Sequence, residues 1–157
     1  DWKIEALGAV FALPGAADQK LHRDGAFLYP ETQLDRILPP HALTFACPLV
    51  RVDAGCGPTL FYPGSHRVTG DAGSVPEAPD IEVGSVAVWD FRVAHFGQAN
   101  PGPAARPMLY ATLCRPFWAD FDNFDPARNA KLVATRDAVE ALGPAHRKRF
   151  RRAALEG

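Results

Sequence analysis

Short apolar runs, separated by clusters of glycine, proline and polar residues, set the rhythm of this chain. Ile4–Leu13 (IEALGAVFAL) predicts a strand or strand pair, and Pro14–Ala17 a turn. Gln19–Asp24 reads as a short strand. Phe27–Pro40 reads as a loop with bulky apolar side chains. Ala42–Val52 (ALTFACPLVRV) predicts a buried strand, with Pro48 pointing to a sheet edge or a bulge. Asp53–Pro58 is a turn before a short strand at Thr59–Tyr62, which runs into Pro63-Gly64-Ser65-His66. Arg67–Pro79 reads as a polar surface loop. Gly84–Phe91 (GSVAVWDF) and Arg106–Cys114 (RPMLYATLC) predict two more strands, with His95 near the end of the first and a turn at Asn100–Ala105.

The end of the chain changes character. Arg136–Leu142 and Ala145–Leu155 have helical composition and are split by Gly143-Pro144, with Pro144 suited to a first helical turn. Many short strands with Gly/Pro turns predict a mainly β sandwich or barrel. A helical tail over residues 134–157 is expected to pack on its outside. No internal repeat and no low-complexity tract interrupts this pattern.

Composition narrows the classes. A chain of 157 residues with 47% apolar content is most simply one domain, residues 1–157, with a sizeable core. A net charge of −1 gives no reason to expect nucleic acid or a membrane surface as partner. Arg147-Lys148-Arg149 with Arg151 and Arg152 reads as the solvated face of a terminal helix. Cys47, Cys56 and Cys114 lack C-x-x-C spacing, so neither a disulfide framework nor a zinc knuckle is expected. Reduced thiols point to a cytoplasmic protein. No stretch is long and apolar enough to span a bilayer. The chain begins at Asp1 rather than Met, which leaves room for a preceding segment with a targeting signal.

The candidate chemistry starts at His22-Arg23-Asp24. In an extended segment His22 and Asp24 share one side. With 5 His in 157 residues, an H-x-D pair arises by chance about 0.4 times, so the pair alone favours a plain structural histidine near a turn. His95 and Arg106 change the balance. Two histidines and one carboxylate can bind one face of a metal ion, as in non-haem Fe(II) oxygenases.

Four segments occur in order: Gln19 through His22 to Asp24; Gly57-Pro58 through Pro63-Gly64-Ser65-His66-Arg67; Gly84 through Trp89-Asp90 to His95; and Asn100 to Arg106. Together, over about Gly8 to Pro116, they resemble the phytanoyl-CoA dioxygenase-like family of Fe(II)/2-oxoglutarate-dependent oxygenases. The resemblance implies a double-stranded β-helix, a form of jelly roll, with the C-terminal helices flanking it. It implies His22, Asp24 and His95 as metal ligands and catalytic centre. Arg106 then pairs with the distal carboxylate of 2-oxoglutarate, and Thr44 is a candidate contact to the keto acid. Fe(II) and 2-oxoglutarate are the expected cofactors. A small organic molecule, such as a natural product or a lipid-like acid, and O₂ are the expected partners.

An aspartate at position 24 argues for hydroxylation over halogenation, which needs a vacated ligand position. The family's region before the first ligand is largely absent here. Two other readings stay open. One is a cupin-like metalloenzyme that does not use 2-oxoglutarate, and the other a non-catalytic jelly-roll binding domain. His66 reads as a local hydrogen-bonding residue, His41 and His146 as surface residues, and Trp89 as core. Phe27, Tyr29 and Trp118 are candidates to line a pocket entrance.

Overall fold

The computed structural model describes residues 1–68, 73–123 and 132–157. Its first six strands are β1 (Lys3–Ala12), β2 (Ala42–Pro48), β3 (Thr59–Phe61), β4 (Ala87–Asp90), β5 (His95–Gly97) and β6 (Arg106–Cys114). The long apolar runs pair as one four-stranded antiparallel sheet in the order β1-β6-β2-β4. Alternation then sorts each strand. Arg106, Met108, Tyr110 and Thr112 all point from β6 into one cavity.

β3 and β5 form a second, smaller sheet. Isolated bridges widen it on both sides, His22 to His95 and Phe61 to Glu77. Phe61, Trp89 and His95 join the two sheets, with ring centroids 5.1 to 5.8 Å apart. Gly57 makes the approach to β3 possible. Its φ is +75°, and a Cβ there would lie 2.0 Å from the Ala99 carbonyl oxygen, so no other residue fits.

Most expected strands form, with three differences. The Gln19–Asp24 segment is tied to β5 at Gln19, by its N–H to Gly97 O, and at His22, by the His22–His95 bridge, and is not a regular strand. His95 begins its own strand, because the turn after Asp90 switches the chain to the other sheet. Pro48 sits in an interior strand, as its last residue, where the missing N–H interrupts no continuing ladder.

The loop over residues 27–40 contains a single helical turn, α1 (Leu34–Ile37). Arg92 fixes it: the guanidinium donates to Asp90 Oδ2 at 2.8 Å and to Asp35 Oδ1 at 2.9 Å while only 1% exposed. Asp35 in turn accepts from the N–H groups of Leu28 and Tyr29. Charges this deep are tolerated because each is paired and hydrogen-bonded.

The tail is less helical than its composition predicts. A strand β7 (Val133–Thr135) precedes α2 (Arg136–Glu140) and α3 (Pro144–Arg147), and Pro144 does open α3. The expected helix over Ala145–Leu155 stops by Phe150, and β8 (Ala154–Glu156) pairs in parallel with β7. Arg152 docks the tail by donating to the buried Glu5 carboxylate and to Trp118 O. His41, expected on the surface, is 1% exposed and packs on Trp118 at 5.1 Å. Burial lowers its pKa, so the ring stays neutral there. No helix among the described residues is long and apolar enough to cross a membrane.

Candidate metal centre and its cavity

The His22–His95 bridge sets two imidazoles side by side, centroids 4.5 Å apart. The backbone groups of the two residues exchange hydrogen bonds of 3.0 and 2.9 Å. Each ring has its Nδ1 against a main-chain carbonyl, His22 at 2.8 Å from Lys20 O and His95 at 2.9 Å from Val93 O. An Nδ1–H donating there leaves the lone pair on Nε2, the tautomer a metal ligand needs. Both Nε2 atoms face Asp24 Oδ1, at 3.7 and 3.5 Å.

Asp24 is oriented by the large sheet. Its Oδ2 accepts from Thr44 Oγ1 at 2.6 Å and from Trp89 Nε1 at 3.1 Å. Thr44 and Trp89 sit directly opposite one another across β2 and β4, so both reach the same oxygen. Oδ1 is left for the histidines. One donor atom from each of the three residues fits within 4.8 Å. Burial lowers the pKa of His95, with the Asp24 charge opposing, which favours the neutral imidazole that binds metal. The residues present therefore fit a divalent metal.

Arg106 lines the same cavity, which measures about 250 Å³. Its side chain is buried, no carboxylate among the described residues pairs with it, and its Nε has no partner. Burial lowers its pKa, yet a guanidinium remains charged at neutral pH. A buried cation without a partner is costly until an anion joins it. Gly97 keeps the approach clear: a Cβ there would lie 2.9 Å from Gln19 Oε1 and 3.5 Å from Arg106 Nη2.

All five residues singled out in the sequence, His22, Asp24, Thr44, His95 and Arg106, line this one cavity. Thr44 differs in detail, since its hydroxyl proton is committed to Asp24. Trp89, expected to be core, is the second donor to that carboxylate. The signal for it was its strand parity with Thr44, legible only once the β2–β4 register is known. Asn123 was also missed, and its Nδ2 donates to the Asp24 carbonyl at 2.6 Å.

His66 stays outside the trio. Its Nε2 faces Arg67 Nε at 3.2 Å. The neighbouring Ser65 hydroxyl accepts from Ala94 N–H at 2.8 Å, so the Pro-Gly-Ser-His turn anchors the residue before His95. Phe27 and Trp118 line a cleft beside Asp24, with Arg23 over the Phe27 ring. Tyr29 is exposed.

The solved structure of EvdMO1 is 22% identical, with a TM-score of 0.61 over 74% of this chain and 28% of its own. AviO1 from Streptomyces viridochromogenes Tue57 is 21% identical, with a TM-score of 0.61 over 73% of this chain and 52% of its own. EctD from S. alaskensis, solved with 2-oxoglutarate and 5-hydroxyectoine, is 20% identical, with a TM-score of 0.58 over 73% and 44%. The chain thus spans between 28% and 52% of the length of these proteins, and what it shares with them is the fold. The family model for phytanoyl-CoA dioxygenase (PhyH) matches residues 8–108, well over half of the sequence. The chain belongs to the phytanoyl-CoA dioxygenase family.

Proposed function

We propose that this chain is an Fe(II)/2-oxoglutarate-dependent oxygenase that hydroxylates a small organic molecule. The observation that carries the proposal is the convergence of two imidazole Nε2 atoms and one carboxylate oxygen beside a cavity that also holds a buried arginine with no carboxylate partner among the described residues. When bound, Fe(II) and 2-oxoglutarate together supply oxidative decarboxylation by O₂, giving succinate and CO₂, and oxygenation of a C–H bond.

The protein's part is to hold and to orient. His22, Asp24 and His95 would hold the metal on one face, leaving other positions open for the co-substrate and O₂. Arg106 offers a planar fork that matches a carboxylate, and it suits the distal end of a dicarboxylate. Thr44 and Trp89 keep Asp24 turned toward the metal. Because Asp24 fills the third protein position, hydroxylation is favoured over halogenation. Val10, Ala46, Phe91 and Met108 line the cavity with apolar surface. The loop over residues 27–40, fixed by Asp35 and Arg92, stands beside the Asp24 cleft and is placed to select substrate. Its apolar side chains suit a natural product or a lipid-like acid.

The fold proposed with this function is the double-stranded β-helix. Chain order supports it: the paired segments run β1 (large sheet), His22 (small), β2 (large), β3 and Glu77 (small), β4 (large), β5 (small), β6 (large). Such alternation between two facing sheets is how a jelly roll winds.

The test is succinate formation from 2-oxoglutarate by protein loaded anaerobically with Fe(II) and then exposed to air. Turnover that needs both iron and O₂ and disappears in His22→Ala is expected. Turnover retained in His22→Ala would contradict the ligand assignment. Thr44→Val removes one of the two donors to Asp24 at nearly constant volume. We expect it to weaken metal affinity about 10- to 100-fold, measured by competition with a chelator, with the circular dichroism unchanged.

A further inference from the structure

The C-terminal tail reaches the candidate metal centre through an unbroken run of hydrogen bonds. The run starts at a bulge. β1 and β6 pair Ile4 with Leu113 and Ala6 with Thr112, so Glu5 is an extra residue on β1. A bulge re-aims a side chain, and here the Glu5 carboxylate is fully buried. Arg152 donates to its Oε2, and to the carbonyls of Trp118 and Pro116 at 2.7 and 3.1 Å. The other oxygen, Oε1, accepts from Asp120 N–H at 2.9 Å. Asp120 builds the next turn. Its Oδ1 accepts from the N–H groups of Asp122 and Asn123, both at 3.1 Å, and its Oδ2 from Asn123 Nδ2 at 2.9 Å. That nitrogen has two protons, and the second goes to the Asp24 carbonyl at 2.6 Å.

The peptide unit joining Asp24 to Gly25 is therefore held at both edges. Asn123 binds its C=O, and its N–H donates to Phe91 O at 3.1 Å. A peptide unit is planar, so two opposed anchors set its tilt, and with it the direction in which the Asp24 side chain leaves the backbone. We propose that Asn123 is a positioning residue for Asp24, and that Glu5 and Arg152 hold Asn123 in place, so that the tail tunes a metal centre it does not touch. This role rests on Asp24 being a metal ligand, as proposed above. Thr44 and Trp89 turn the carboxylate itself, whereas Asn123 fixes the backbone behind it. Asn123 is exposed, so its truncation should act on the metal and hardly on the fold.

Co(II) binding in competition with a chelator tests this, alongside melting of the metal-free proteins. The variants are Asn123→Ala, the pair Glu5→Leu with Arg152→Leu, all three together, and Asp24→Ala. The pair removes both charges at once and strands no buried ion. Asn123→Ala is expected to bind Co(II) about tenfold more weakly, with a shifted visible Co(II) band and the melting temperature of wild type. The pair should weaken binding about threefold, and adding it to Asn123→Ala should change the affinity by less than about twofold, because both act through one hydrogen bond. If the pair variant does not fold, Arg152→Lys takes its place, since it keeps the charge beside Glu5 without the fork that reaches both carbonyls. Wild-type affinity and band in Asn123→Ala would overturn the proposal, and loss of Co(II) binding in Asp24→Ala would then leave the ligand assignment standing. Wild-type binding in Asp24→Ala would overturn both. Effects of the pair and of Asn123→Ala that add would overturn the link to the tail.

Discussion

His95→Ala is expected to abolish tight metal binding and to lower 2-oxoglutarate turnover by well over 100-fold. The bound is set by what loss of an orienting partner alone costs, about 10- to 100-fold, and removal of a ligand must cost more. His95 is the most buried of the three candidate ligands, 6% exposed against 40% for His22. Water therefore replaces its imidazole less easily than that of His22. Its backbone pairs with both Phe61 and His22, and those bonds survive truncation. The ring also fills space against Phe61 and Trp89, so some stability is lost, on the order of 1–3 kcal/mol. Chelator competition and denaturant unfolding, run in parallel, separate the two effects. A variant that unfolds slightly earlier yet binds metal as wild type does would refute His95 as a ligand.

The second large effect is expected at Arg106. Arg106→Leu should raise the 2-oxoglutarate KM by roughly 10²- to 10³-fold, since a charge-assisted bidentate pair contributes on the order of 3–4 kcal/mol. Metal affinity should stay near that of wild type. Stability supplies an independent sign. In the absence of co-substrate, Arg106 is a buried cation with no carboxylate partner among the described residues, so its replacement by an apolar side chain should leave the melting temperature unchanged or raise it. If Arg106 were instead a structural residue, the substitution would lower the melting temperature and leave the KM alone. A cupin-like metalloenzyme that does not use 2-oxoglutarate would show neither the KM effect nor any succinate.

Much of this arrangement is legible in the sequence, for identifiable reasons. β6 matches its expected span, because a nine-residue apolar run between a proline turn and Arg115-Pro116 has one simple solution. β1 is found within one residue. His22, Asp24, His95 and Arg106 meet because each lies beside a turn that the glycine and proline pattern marks. What the sequence hides depends on register or on long-range pairing. Trp89 looks like any buried aromatic until β4 is aligned with β2, when it falls opposite Thr44. His41 looks like a loop histidine, yet the approach of Trp118 from beyond β6 buries it. The last residues have helical composition, but pairing of Ala154–Glu156 with Val133–Thr135 overrides that local preference.

The most direct test of the central claim is a calorimetric titration of 2-oxoglutarate into anaerobic protein, with and without Fe(II). Joint binding by the metal trio and Arg106 predicts a one-to-one complex that forms only with metal and is lost in Arg106→Leu. Affinity that is the same without metal, or no binding to the Fe(II)-loaded protein, would contradict it.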